Sequence, residues 1–284
     1  MFVIIGIIVV IGSVLGGYMM HGGNLHVLIQ PSEFVIIVGA AIGGFIISSP
    51  KSLIFKVIKS FGKILSSSSK TKEEYIEILS LLYQLFSKIR KEGLISVEAD
   101  IENPNNSPIF EKYSSVIKDH HLLNFICDNL KVIITSNIPP HELESLMDLE
   151  IEVNHHEAMK PSHSIAKIAD ALPGLGIVAA VLGVVITMGK VDQPPAILGK
   201  SVGAALVGTF LGVLLCYGFV GPMATNLEHK TNEEEVIFQV VKVAIVAFVG
   251  GAAPQMAVEF GRRAIPGENR PTFNELEVAV RGKK

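Results

Sequence analysis

The run ALPGLGIVAAVLGVVITMG (171–189), followed by SVGAALVGTFLGVLLCYGFVGPMATN (201–226), decides how this chain folds. Neither stretch contains Asp, Glu, Lys, Arg or His. Each is long enough to cross a hydrocarbon core of roughly 30 Å, which takes about 20 helical residues. Lys190, Asp192, Pro194 and Pro195 lie between them as a polar turn. The pair reads as a transmembrane helical hairpin. Gly174, Gly176, Ala179, Ala180 and Gly183 crowd its first helix, and Gly199/Gly203 and Gly208/Gly212 form GxxxG pairs on its second. Such spacing lets helix backbones approach closely in lipid, and ordinary packing is its plain reading. Pro173 and Pro222 stand near the same membrane face because the two helices run in opposite directions. Proline frees a carbonyl, which is tolerated in lipid only where neighbours or water satisfy it.

Working outward, 2 further apolar stretches open the chain. Met1–Met20 has no charge and lacks both the positive start and the small-residue cleavage site of a signal peptide, so it reads as a retained span. His21–Glu33 is a polar link without Lys or Arg, and Phe34–Pro50 is a second span. Gly12/Gly16 and Gly39/Gly43 repeat the small-residue spacing. Lys51, Lys56, Lys59, Lys63, Lys70 and Lys72 follow at once. Their excess over the first turn places the next segment in the cytoplasm by the positive-inside rule. The expected architecture is an all-α membrane protein with four spans and both termini cytoplasmic. Its segments are 1–50 (two spans), 51–170 (a helical cytoplasmic domain), 171–226 (two spans) and 227–284 (a cytoplasmic tail).

A hydrophobic share of 49%, a charged share of 18% and a mean hydropathy of +0.47 suit such a mixture of spans and soluble region. The net charge of −3 gives no reason to expect nucleic-acid binding. Cys127 and Cys216 fall in a polar region and a span, so no disulfide is expected. In the soluble part, Glu73–Lys91 repeats apolar residues at helical spacing, Glu98–Pro108 is turn-rich, and helices are predicted over Ile109–His120, Leu122–Asn137 and from His141 towards Glu157. Ser66–Ser69 reads as a flexible joint. Val243–Val258 is apolar but short and broken by Gly250, Gly251 and Pro254, which suits a buried or interfacial segment better than a fifth span.

No catalytic constellation stands out, and the chain does not read as an enzyme. His120-His121 and His155-His156-Glu157 lack the spacing that puts metal ligands on one helix face, so no metal site is expected. The four expected spans contain no Asp, Glu, Lys, Arg or His; they offer the hydroxyls of Ser13, Thr187, Thr209 and Tyr217. A proton-moving protein needs a titratable group in the bilayer. The chain is therefore either a scaffold or borrows that group from a partner.

The stretches GGYMMHGGNLHVLIQPSEFVII, YIEILSLLYQLFSKIRKEGL, VEADIENP, LPGLGIVAAVLGVV, VGTFLGVLLCYGFVGPMA and AVEFGRRAIPGENRPTFNELE together resemble the MotA family of flagellar stator proteins over essentially the whole length. The resemblance implies a homopentamer in the bacterial inner membrane around a dimer of MotB, whose single span supplies the ion-binding Asp. It also implies proton flow converted to torque on the rotor switch complex, with no bound cofactor. Pro173, Pro222 and Thr209 match the family's coupling prolines and channel-facing threonine, and Ala180 and Tyr217 are placed with them on the ion pathway. Arg90, Glu98 and Glu150 match its rotor-facing charges, although exposed charges are ordinarily plain solvated surface. Sodium-driven relatives carry Thr where this chain has Ala180, so protons are the expected coupling ion. The alternatives are an ExbB/TolQ-type transducer, a sodium-coupled stator and a non-conducting scaffold.

Overall fold

The computed structural model describes residues 2–65, 70–136 and 138–281, and every regular element among them is helical. The expected joint at Ser66–Ser69 and the helix end at Asn137 lie outside the described residues. The helices are α1 (Phe2–Met20), α2 (Leu25–Leu28), α3 (Pro31–Ser48), α4 (Lys51–Leu65), α5 (Lys72–Glu92), α6 (Glu98–Glu102), α7 (Ser114–Lys118), α8 (His120–Thr135), α9 (Pro140–Met188), α10 (Pro195–Leu214), α11 (Gly221–Val249), α12 (Pro254–Ala264) and α13 (Phe273–Arg281). Two compact units result, one from Met1–Ser68 with Ala158–Lys230, the other from Ser69–Glu157 with Thr231–Lys284.

In the first unit, four stretches are long and apolar enough to cross a membrane: Phe2–Met20, Leu25–Ser48, and parts of Pro140–Met188 and of Pro195–Val249. Their outward side chains stay bare, with Phe2, Met20 and Ile47 at 82%, 89% and 89% exposure. An apolar surface of that extent belongs against lipid or another chain. The lysines after the second span lie along α4, an amphipathic helix that buries Val57 and Ile64 with Ile165, Ala224 and Leu227. Lys230 donates to the carbonyls of Lys63 and Ile64 at 2.7 and 3.1 Å, satisfying the orphan acceptors at the end of α4.

The second unit is helical around a buried hydrophobic core of its own. Its α5 starts with a capping box, in which Thr71 Oγ1 accepts from the Glu74 N–H and Glu74 Oε2 from the Thr71 N–H. It stops at Gly93, whose φ of +90° few other residues adopt. Leu79, Leu81, Leu82, Leu85 and Phe86 of α5 are wholly buried, each contributing about 1.5–3 kcal/mol. Phe86 stacks on Phe248 at 4.3 Å, and Phe125 meets Phe238 edge-on at 5.3 Å. Val240, Val241, Ala244 and Ile245 have no exposure, so the apolar stretch after 236 is core and ends at Val249 before Gly251 turns the chain at φ +95°.

Three local expectations change. The helix from His141 does not stop near Glu157 but runs unbroken through Pro161 and Pro173 to Met188. Ile109–His120 holds only a 3-10 turn, Phe110–Lys112, and the short α7. The helix that carries the second expected span begins at Pro31 rather than Phe34, which draws Glu33 into it. Proline at the first helical position loses nothing, since that N–H has no intrahelical acceptor.

Candidate functional site: the α3, α9 and α10 seam

Glycines let α9 and α10 touch backbone to backbone. A Cβ on Gly176 would stand 2.7 Å from the Gly208 carbonyl oxygen, and one on Gly212 would stand 2.5 Å from the Leu172 carbonyl oxygen. Gly183 is closed in the same way by Ala205 at 2.7 Å. Around Gly12, Gly16, Gly39, Gly43, Gly199 and Gly203 there is open space within 4 Å. Of the four GxxxG pairs, only Gly208/Gly212 therefore has its close approach inside the chain itself.

Glu33 closes that seam from α3. It is 7% exposed, and its Oε2 is buried with no hydrogen-bond partner among the described residues. A Cβ on Gly208 would meet this oxygen at 2.7 Å, the Ala180 nitrogen at 3.0 Å and Ala179 Cβ at 3.1 Å, while one on Gly183 would lie 3.7 Å from Glu33 Oε1. The carboxyl thus sits where α9 and α10 are thinnest, beside Ala180. A buried acid thus stands in the helix that opens at Pro31, just before the expected start of the second span at Phe34. The sequence signal was Pro31 opening a helix with an acid in its first turn.

The remaining residues expected on an ion pathway divide between seam and cleft. Ala180 is 9% exposed, and Thr209, next to Gly208, is half-buried. Thr187, by contrast, spends its hydroxyl on the Gly183 carbonyl of its own helix at 2.8 Å. Tyr217 and Pro222 line an open cleft of 630 Å³ with Ala169, Asp170, Glu228 and His229. Pro173 lies one turn beyond Ala169 and gives no N–H to that residue's carbonyl. Between α10 and α11, Leu215–Val220 widens into a π-helical turn, with the Gly221 N–H reaching back to the Cys216 carbonyl. Pro222 follows directly and has no N–H to restore the narrower ladder. Such single wide turns concentrate at functional sites. Neither the π turn nor the place of Asp170 in the cleft was read from the sequence.

The charges expected to face a rotor lie in the second unit. Arg90, in the last turn of α5, and Glu98, opening α6, are exposed and form no ion pair among the described residues. Glu150 differs: it is partly buried and accepts from Asn129 Nδ2 at 3.2 Å. Burial pushes its carboxyl above the ordinary carboxylate range, and the Asn129 hydrogen bond pulls it part of the way back.

Two family models match the chain: Motility protein A N-terminal over residues 4–93, and the MotA/TolQ/ExbB proton channel family over 117–240. The chain is 46% identical to Motility protein A of Escherichia coli strain K12, across 100% of its own length and 96% of that protein's. It is 37% identical to Chemotaxis protein LafT of Vibrio parahaemolyticus, across 96% of each. Its fold matches a chain of the flagellar MotAB stator complex from Bacillus subtilis with TM-score 0.74 and 24% identity, over 94% of this chain and 96% of that one. A chain of C. jejuni MotAB gives TM-score 0.76 at 18% identity with the same coverage. The chain belongs to the motility protein A family, and it is a stator subunit of the flagellar motor.

Proposed function

We propose that the chain forms a proton-conducting complex with a MotB-type partner and converts proton flow into torque on the rotor switch complex. The observation that carries this reading is the match to Motility protein A over the full length, leading spans included. An ExbB/TolQ-type transducer typically has three spans, one fewer than the four apolar stretches of this chain. The partner is read from the solved relatives, which are MotAB complexes. Around it the chain forms a pentameric ring in the inner membrane, with four spans and both termini cytoplasmic. The lysines of α4, set against the Lys- and Arg-free turn 21–30, support that orientation.

In this arrangement Ala180, Thr209 and the glycine seam shape the passage, and the partner's Asp carries the ion. Pro173, Pro222, Tyr217 and the π turn form the compliant inner end, where proton loading becomes helix movement. A methyl at Ala180 cannot stand in for a sodium ion's hydration oxygens, whereas a proton needs no such cage. Arg90, Glu98 and Glu150 engage the rotor. Exposed contacts of this kind are worth about 0.2–1 kcal/mol each, weak enough to be remade at every step.

Co-reconstitution with the partner in liposomes tests this. A proton flux that disappears when the partner's membrane Asp becomes Asn supports the reading. Equal flux from the chain alone would defeat it.

A further inference from the structure

We propose that Glu33 is a proton-binding site of this chain's own inside the membrane, loading at the α9/α10 seam and setting how tightly α3 packs there. The proposal rests on the proton-driven reading above and adds a residue to it.

The depth of the carboxyl comes from what it touches. Gly208 lies eight residues past Lys200, the last charge before the apolar run, and Gly183 lies seven before Lys190. At 1.5 Å per residue these place Glu33 about 10–12 Å along the two helices from the lysines that flank their turn, with only uncharged residues between. Its surroundings are small and apolar: Ala179, Ala180 and Gly183 on α9, with Ala205 and Gly208 on α10. The stretches packed against it, 174–189 and 201–214, contain no Asp, Glu, Lys, Arg or His. α3 has no second charged residue, and the titratable side chain of α2, His26, is exposed. Among the described residues of these elements, nothing charged faces the carboxyl.

A bare carboxylate there is expensive, whereas a neutral acid is a tolerable guest. The uptake step is simple: Oε2 takes H⁺ from water at the outer end and becomes COOH, filling the space over Gly208. Release breaks that O–H bond, returns H⁺ to water in the passage, and leaves an unpartnered anion that the seam holds poorly. Loading therefore favours the closed packing of α3, and release favours its loosening. An acid kept only for structure would stay protonated throughout, and an amide of the same shape would replace it.

Two measurements on the complete complex with its single-span partner decide this. The first is proton flux into liposomes. Glu33→Gln is expected to co-purify with the partner normally and to conduct at least tenfold less, while Glu33→Asp conducts with a displaced pH midpoint. Wild-type flux from a normally assembled Glu33→Gln complex overturns the proposal. The second is the pH profile of dicyclohexylcarbodiimide adducts, mapped by mass spectrometry on the wild-type complex, since that reagent attacks protonated carboxyls in apolar surroundings. An adduct at Glu33 that declines as pH rises supports the proposal, and one independent of pH, or none, overturns it. This measurement also decides the case if Glu33→Gln does not assemble. A wild-type complex without flux counts against the proton-driven reading, while the adduct profile still reports on Glu33.

Discussion

The carboxyl of Glu33 occupies the space that a side chain on Gly208 would need, with Oε2 2.7 Å from where that Cβ would stand. Glycine at 208 is therefore required by α3 as much as by the α9/α10 contact. The GxxxG pair and the buried acid are parts of one arrangement.

Gly208→Ala should accordingly cost about 1–3 kcal/mol through overpacking, because the Ala180 nitrogen at 3.0 Å cannot move aside as a side chain tip can. Gly62→Ala in α4 meets nothing within 4 Å and should be neutral or gain up to about 1 kcal/mol of helix propensity. Thermal unfolding of the detergent-solubilised complex separates the two. Equal melting temperatures would mean that the seam is looser than described.

Charge reversal at the soluble end should leave folding alone at Arg90 and Glu98 but not at Glu150. Arg90→Glu should change stability by less than about 0.5 kcal/mol and reduce torque, with the opposite reversal on the rotor restoring it. Glu150→Lys removes one of the two acceptors of Asn129 Nδ2, a side chain only 2% exposed that keeps its bond to the Phe125 carbonyl at 2.8 Å, at a cost of about 0.5–1.5 kcal/mol. Rotation speed read beside unfolding midpoints distinguishes a lost contact from a weakened fold. Unimpaired swimming in Arg90→Glu would remove that residue from the rotor surface.

Glu275 ties α13 to α5. Its carboxyl accepts from Lys72 Nζ at 2.8 Å and from the Thr272 N–H at 2.6 Å, and these bonds hold its pKa at about 2 against an ordinary value of 4.5. A depressed acid contributes its stabilisation above about pH 4.5 and loses it as pH falls towards about 2. Hydrogen exchange across Phe273–Arg281 should therefore accelerate on acidification through that window. In Glu275→Gln it should already be faster at neutral pH and respond less to acid.

The long apolar helices, α5 and the buried end of α11 were legible because each is a long run of one period, and period is what a sequence displays. Glu33 was not. Beside Gln30, Pro31 and Ser32 it reads as part of a polar turn, and only the partners at Gly183 and Gly208 show how deep it lies. The break anticipated after Glu157 failed for a related reason. Pro161 and Pro173 argue locally for helix ends, yet burial of Met159, Ser162, Ile165, Ala169 and Leu172 along one face holds a single helix through both. The π turn before Pro222 depends on which carbonyl the Gly221 N–H reaches, and composition does not encode that choice. Ala180, Thr209 and the prolines were expected on an ion pathway through family resemblance alone, and the structure adds which of them stand at the seam and which at the cleft.

The most direct measurement is the rotation speed of tethered cells driven by this stator, recorded while the proton-motive force is collapsed under a constant sodium gradient. The account predicts that speed falls with the proton-motive force to a standstill and does not respond to sodium. Rotation that persists on the sodium gradient alone would contradict it.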